Sequence, residues 1–109
     1  MEIVHLPSSA SGAEIAEVLR RDGAVVVDEM VGPGLLDRFF NEMQPFVDAT
    51  PNGSDGFTGF TTRRTGGLLA RSATAQELVT HPSDIATCDD FLGHVTSYQL
   101  PLTNIIDIH

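Results

Sequence analysis

The segment from Val95 to His109 places the strongest constraint on how this 109-residue chain can fold. It is rich in β-forming residues and ends in the sequence TNIIDIH. If the whole segment is extended, one face carries mainly apolar side chains, namely Tyr98, Leu100, Leu102, Asn104, Ile106 and Ile108. The opposite face is more mixed and carries Gln99, Pro101, Thr103, Ile105, Asp107 and His109. A long strand of this kind needs neighbours, because its edges expose unpaired backbone groups.

The rest of the sequence offers few partners for this strand. Only about three strands can be identified in the whole chain, which are too few to cover it. We therefore expect residues 1–109 to be the N-terminal part of a single larger domain. The alternative is a complete, small, acidic α+β domain that acts as a non-catalytic interaction module. In either case the unpartnered strand favours self-association of this chain.

Helices are predicted before this strand. Ser11 and Glu14 have capping-box spacing, and Gly23 comes just after Arg20 and Arg21, which suit the negative end of a helix. A helix is therefore expected from Ser11 to Gly23. The β-branched run Ala24–Val27 predicts a short strand. Apolar residues at helical spacing predict a second helix over Leu35–Val47.

The middle of the chain is rich in turn formers. Asp48–Gly59 predicts a loop, and Thr61–Thr65 predicts a polar strand that ends at a pair of glycines. A short helix is expected over Ser72–His81. Another helix is expected after Pro82, with Ser83 as its N-cap and Gly93 at its end.

Composition excludes several classes of protein. The chain has six arginines, no lysine and fifteen acidic residues, which give a formal net charge of −9. Such a chain is a poor ligand for nucleic acids or anionic membranes. No apolar run approaches the ~18 residues of a membrane span, and the start of the sequence is unlike a secretory signal. The single cysteine, Cys88, suits a reducing compartment, so we expect a cytoplasmic protein.

Common catalytic motifs are absent from the sequence. It contains no G-x-S-x-G, P-loop or C-x-x-C pattern. His81, Ser83 and Asp84 stand close together, but they fall at a predicted helix start, where capping explains them. Cys88 lies on a helical apolar stripe and is expected to be a small core residue rather than a nucleophile.

No strong metal-binding pattern is present either. The two histidines and one carboxylate of many non-haem iron sites are often arranged as H-x-D or H-x-E plus a distant histidine. None of the histidines here begins such a motif. Asp107 and His109, together with His94, are the fallback set, but a terminal strand residue and an exposed loop histidine are the stronger explanation. We expect this chain to bind no metal.

Arg63, Arg64 and Asn104 are the candidate binding residues. The two arginines stand among threonines after a glycine-rich loop, and guanidinium groups bind carboxylates and phosphates through paired hydrogen bonds. Asn104 lies on the otherwise apolar face of the C-terminal strand, where an unpaired amide would be costly. The alternative for the arginines is an ordinary surface pair, and for Asn104 a hydrogen bond within the chain.

The order of these pieces resembles a known family. The sequences LRRDGAVVVD, TRRTGGLLARS and DDFLGH, followed by the strand Gln99–His109, are similar to the N-terminal half of the phytanoyl-CoA dioxygenase family. The likeness extends from about Ile15 to His109. It implies helices packed on the first strands of an incomplete double-stranded β-helix, or jelly-roll, and thus an α+β fold.

The resemblance also implies an activity for the complete protein. It implies an Fe(II)- and 2-oxoglutarate-dependent oxygenase that hydroxylates a small-molecule or acyl substrate. The family's iron ligands, H-x-D and a later histidine, would follow residue 109, so no catalytic or metal residue is assigned here and the chain alone is expected to be inactive. The resemblance suggests Arg64, or else Arg63, as a contact to the cosubstrate. It suggests Asn104 and, more weakly, Gln99 as residues that line the pocket.

Overall fold

The computed structural model describes residues 2–109, which form short strands and helices. In chain order the elements are β1 (His5–Leu6), α1 (Gly12–Asp22), β2 (Val26–Val27), α2 (Pro33–Ala49), β3 (Thr62–Gly66), α3 (Leu68–Arg71), α4 (Ala73–Val79), α5 (Pro82–Phe91) and β4 (Asn104–Ile108). Their contacts divide the described residues into two units. The first unit comprises residues 2–32 and 77–99, and the second comprises residues 33–76 and 100–109.

In the first unit, α1 begins and ends where the sequence predicts. The Ser11 hydroxyl accepts a hydrogen bond from the Glu14 backbone N–H at 3.1 Å, which satisfies one of the free donors of the first turn. Gly23 ends the helix in the left-handed conformation, with φ of 80°, and its N–H donates to the Leu19 carbonyl. The helix buries Ile15, Ala16 and Val18.

Helix α5 packs closely against α1. A Cβ atom at Gly12 would lie only 2.6 Å from the Cβ of Ala86, so the close approach of the two helices requires glycine there. At the other end of α1, Arg20 donates to the Asp90 carboxylate at 2.6 Å and to the Asp90 carbonyl at 2.7 Å. The small parallel sheet β1–β2 completes this unit.

Two sequence predictions in the first unit need correction. The N-cap of α5 is His81 and not Ser83: the His81 Nδ1 accepts the Ser83 N–H at 3.1 Å. The reason is that Pro82 already has the φ of a first helical residue, so the cap is the residue before it, two positions earlier than predicted. Strand β2 is also shorter than the predicted Ala24–Val27, because only two residues pair with β1.

The second unit is built on α2 and an antiparallel sheet. Helix α2 buries Phe39, Met43 and Val47, which are spaced four residues apart on one face. It continues past Pro45 to Ala49. Strands β3 and β4 pair so that Thr62 lies opposite Ile108 and Gly66 lies opposite Asn104. The polar strand predicted after the loop is therefore present, shifted by one residue.

The long C-terminal strand is only partly formed. Residues 104–108 are extended and paired, whereas residues 95–103 form no strand. Pro101 has no backbone N–H to donate, which disfavours an extended ladder before Asn104. Within β4 exposure alternates, with Ile106 58% exposed and Ile108 exposed as well, whereas Ile105 is half-buried.

The helix predicted over Ser72–His81 is present as α4 and is shorter than predicted. A separate short helix that was not predicted, α3, precedes it and ends at Arg71, with Ser72 as its C-cap in an extended conformation. Helix α4 then runs from Ala73 to Val79 and buries Thr74 and Ala75. Across residues 2–109, no helix combines the length and apolar character that crossing a membrane would require.

Candidate functional site

The two adjacent arginines of β3 point to opposite faces of the sheet. Arg63 lies opposite Asp107 and Arg64 lies opposite Ile106. The Arg63 guanidinium binds the Asp107 carboxylate through Nε at 3.1 Å and Nη2 at 2.6 Å, and its Nη1 donates to the Val47 carbonyl of α2. These contacts explain Arg63 as a structural residue on the face of the sheet nearer α2.

Arg64 lies on the other, exposed face of the sheet. Its neighbours on this face are the side chains of Asn104 and Ile106 in β4, since alternate residues share a face. Its Nη1 donates a hydrogen bond to the backbone carbonyl of Thr58, in the loop before β3. The guanidinium is therefore held at one point while most of its N–H donors remain available.

This exposed face borders an open groove of about 670 Å³. The residues that line it come from β3, the glycine turn, α3 and the segment before β4: Arg64, Gly66, Gly67, Leu69, Ala70, Leu100, Pro101, Leu102, Thr103 and Asn104. Two of the four residues named from the sequence, Arg64 and Asn104, thus lie in one groove. Arg63 and Gln99 do not line it, and Gln99 belongs to the first unit.

Sequence reasoning missed the apolar part of the groove. Leu69 and Ala70 of α3 and Leu100 and Leu102 line it, yet none was a candidate. The pair of glycines at the end of β3, Gly66 and Gly67, was the available signal. Gly67 adopts a left-handed conformation, with φ of 64°, and this turn places α3 beside the end of β4. The Leu68 N–H then donates to the Thr103 hydroxyl at 3.0 Å.

The charged group that lines the groove is positive. Arg64 is the ionised residue among those that line it, and the described lining includes no carboxylate. This is unusual in a chain with fifteen acidic residues. The Asn104 side-chain amide makes no hydrogen bond within the described part of the chain, and Asn104 is exposed. The groove therefore offers a guanidinium and an amide beside apolar walls, a combination that can bind an anion with an apolar portion.

The loop before β3 is organised around Asp55. The Asp55 carboxylate accepts hydrogen bonds from the Thr58 backbone N–H at 2.6 Å and the Thr58 hydroxyl at 2.7 Å. These bonds, with a smaller contribution from the charge of Arg64, hold the pKa of Asp55 below its usual value. The same loop exposes two aromatic side chains, with Phe57 95% exposed and Phe60 65% exposed.

The metal-binding set considered from the sequence is divided between the two units, with Asp107 and His109 in the second. His109 Nδ1 lies 3.9 Å from the Asp107 carboxylate, but that carboxylate is bound by Arg63. His94 belongs to the first unit. Within residues 2–109, no three histidine, cysteine or acidic side chains are arranged to hold a metal ion. The residues present therefore do not fit an iron centre.

Cys88 has the environment of a structural residue. It is half-buried on α5, and its Sγ lies 3.8 Å from the Asp84 carboxylate. Burial, and then the neighbouring negative charge of Asp84, raise the pKa of the thiol. A thiol of this kind is a weak nucleophile, since the thiolate is the reactive form.

Comparison with known proteins gives a coarse relationship. No family model matches the chain. The dioxygenase swnH2 of Arthroderma benhamiae is 30% identical over 80 residues, which cover 71% of this chain and 25% of that protein. The dioxygenase FrzG of Cladobotryum sp. is 29% identical over an alignment of 119 positions that covers 94% of this chain and 39% of that protein. The chain thus spans well under half the length of these relatives, and over most of its own length it is similar to proteins named as dioxygenases.

Proposed function

We propose that this chain is the N-terminal part of a phytanoyl-CoA dioxygenase-like hydroxylase that uses Fe(II), 2-oxoglutarate and O2. In this proposal β3 and β4 are early strands of a double-stranded β-helix, and the helices pack against them. The similarity to proteins named as dioxygenases supports the enzyme class. The resemblance of the sequence to the N-terminal half of the family supports the placement within it.

The composition of the exposed face of β3–β4 is the main structural support for this proposal. The exposed face of β3–β4 combines apolar side chains with Arg64 and Asn104 and borders a groove. An apolar sheet face with isolated polar groups is the usual composition of a small-molecule pocket wall. In the complete protein, further strands would cover the edges of this small sheet, and the groove would become part of the substrate or cosubstrate pocket.

In this proposal the chain contributes to ligand binding but supplies no iron ligand. Its residues do not fit an iron centre, so the ligands would come from the remaining length of the protein. Arg64 does fit a carboxylate, because its guanidinium offers paired donors. By itself the chain would be inactive. The complete protein would act on a small-molecule or acyl substrate in the cytoplasm, without binding nucleic acid or membranes.

The decisive experiment reads the coding sequence beyond codon 109. The expected result is a turn followed by an H-x-D motif and, later, a histidine and an arginine. The encoded protein should then convert 2-oxoglutarate to succinate in the presence of Fe(II), and alanine at the motif histidine should abolish that turnover. A stop codon after residue 109, with a monodisperse and well-folded product, would instead identify a complete interaction module.

A further inference from the structure

We infer that the groove beside Arg64 binds a monocarboxylate with a hydrocarbon tail. That this ligand is also the substrate of the complete protein rests on the proposed function. Binding itself requires only residues that this chain already contains. Three features of the groove favour such a ligand: its charge, the position of Asn104 and its apolar walls.

The charge of the groove selects an anion. Arg64 contributes a guanidinium, and no carboxylate appears among the described residues that line the groove. The hydrogen bond from Nη1 to the Thr58 carbonyl occupies one edge of the guanidinium. The donors on its other edge can form the paired hydrogen bonds that a carboxylate accepts. Arg63 cannot substitute for it, since its guanidinium is already bound to Asp107.

Asn104 supplies a second donor at a suitable distance. Arg64 lies directly opposite Ile106, so Asn104 is its diagonal neighbour on the same face. Diagonal neighbours in an antiparallel pair are about 7–8 Å apart at the backbone, within reach of long side chains. A carboxylate between the two side chains could therefore accept from both the guanidinium and the amide.

The walls of the groove favour a hydrocarbon tail. Leu69, Leu100 and Leu102 line it and are all exposed to solvent. Covering them with an apolar chain removes hydrocarbon surface from water, which is favourable. The volume of about 670 Å³ falls in the usual range for small-molecule sites, ~300–1,000 Å³. A dicarboxylate fits less well, because its second charge would meet these leucines rather than a second cation.

The test is a binding titration of the complete 109-residue chain with octanoate, followed by amide chemical shifts in NMR spectra. We expect shifts at residues 64–70 and 100–104. Octanol, which lacks the charge, and 2-oxoglutarate, which lacks the tail, should both bind more weakly. Because this titration involves neither iron nor turnover, its failure would leave the proposed oxygenase activity of the complete protein standing.

Matched variants distinguish a contact made by Arg64 from the effect of removing any arginine. Arg64→Ala should weaken octanoate binding by roughly 10- to 150-fold, the value of a charge-assisted hydrogen bond. Arg64→Lys should restore part of the loss because it keeps the charge but not the planar donors. Arg21→Ala is the control, because Arg21 is an exposed arginine of the first unit that pairs with Asp22 and does not line the groove.

Two further results would overturn the inference. Equal affinity for octanol and octanoate would mean that only an apolar patch is present. Equal affinity of Arg64→Lys, Arg21→Ala and the unaltered chain would mean that Arg64 contributes no directional contact. Since the lysine variant keeps a long charged side chain at an exposed position, it tests the inference even if Arg64→Ala fails to fold. Asn104→Leu adds a third arm and should weaken octanoate binding while leaving octanol binding unchanged.

Discussion

Arg63 and Asp107 face each other across β3 and β4, and their side chains form an ion pair with Nη2 and Oδ2 2.6 Å apart. The two side chains are 25% and 35% exposed, so water screens this pair less than a fully exposed one. The pair also reports the strand register. A slip of one residue would place Arg63 on the exposed face and Arg64 against α2.

Removing this ion pair should destabilise the second unit. We expect Arg63→Ala and Asp107→Asn each to lower the free energy of unfolding by about 1–2 kcal/mol, allowing for partial solvent screening. The double variant should cost less than the sum of the two single changes. Urea unfolding with a double-mutant cycle measures this coupling. Arg21→Ala serves as the control for an exposed pair, and a coupling of zero between Arg63 and Asp107 would contradict the prediction.

Tyr98 should titrate at unusually high pH. Its hydroxyl donates a hydrogen bond to the Asp89 carboxylate at 2.6 Å, and this bond, with the nearby negative charge, raises the pKa of Tyr98 to about 12. Because the folded pKa lies above the ordinary value of 10.0, the contribution to stability is present below pH 10 and is lost as the pH rises towards 12.

The chain allows a direct measurement of this pKa. It contains one tyrosine and no tryptophan, so the ultraviolet absorbance of tyrosinate reports Tyr98 alone. Asp89→Asn should move the midpoint down towards 10, because the amide keeps an acceptor but loses the charge. Asp90→Asn is the neighbouring control, since Asp90 binds Arg20 instead. An unchanged midpoint in the Asp89 variant would show that a group other than Asp89 raises the pKa of Tyr98.

The Asp55 turn should lose stability in acid. The pKa of Asp55 is lowered, first by the hydrogen bond from the Thr58 backbone and then by that from the Thr58 hydroxyl. A carboxylate with a lowered folded pKa stabilises the fold above its ordinary value of 3.8, and the effect disappears as the pH falls below it. Following the Asp55 carboxyl carbon by NMR from pH 6 to pH 2 (ordinary titration limits for a carboxyl group) measures this pKa.

Thr58 provides the matched variant for that titration. Thr58→Val keeps the backbone donor and removes the hydroxyl, so the pKa of Asp55 should rise only part of the way to its ordinary value. Arg64→Ala should raise it less, since the charge of Arg64 is the smallest contribution. If Arg64→Ala proved the larger of the two effects, the turn would depend on long-range charge rather than on local hydrogen bonds.

The exposed face of β4 should make this chain self-associate. Ile106 is 58% exposed on a two-stranded sheet whose edges lack partners within the described residues. Ile106→Lys should therefore lower the apparent mass in size-exclusion chromatography with light scattering. Ile3→Lys is the control, as Ile3 is similarly exposed, at 52%, but lies outside the sheet. A concentration-independent monomer for the unaltered chain would rule out this self-association.

Local signals predicted the helices of the first unit well. The Ser11 cap and the Gly23 stop act through hydrogen bonds within a few residues, so they can be identified in a sequence. The cap of α5 was wrong by two positions, because the fixed φ of Pro82 outweighs the capping preference of Ser83. The length of β4 was overestimated, since strand formation depends on distant partners, and within residues 2–109 only β3 supplies them.

The sequence predicted those site residues whose side chains are charged or polar. Arg64 and Asn104 could be identified because charge or amide groups stand out on a strand. The choice between Arg63 and Arg64 required the register, which depends on β4, forty residues away along the chain. The leucines of the groove carried no signal, because an exposed apolar wall and a core position look alike in sequence.

The interleaving of the two units has a consequence for synthesis of the protein. Residues 33–76 of the second unit separate the two stretches of the first, and the second unit needs residues 100–109 to complete β3–β4. Neither unit can therefore finish folding on the ribosome until nearly all of the chain has emerged. During elongation, the apolar face of α1 stays uncovered until α5, its main packing partner, has emerged.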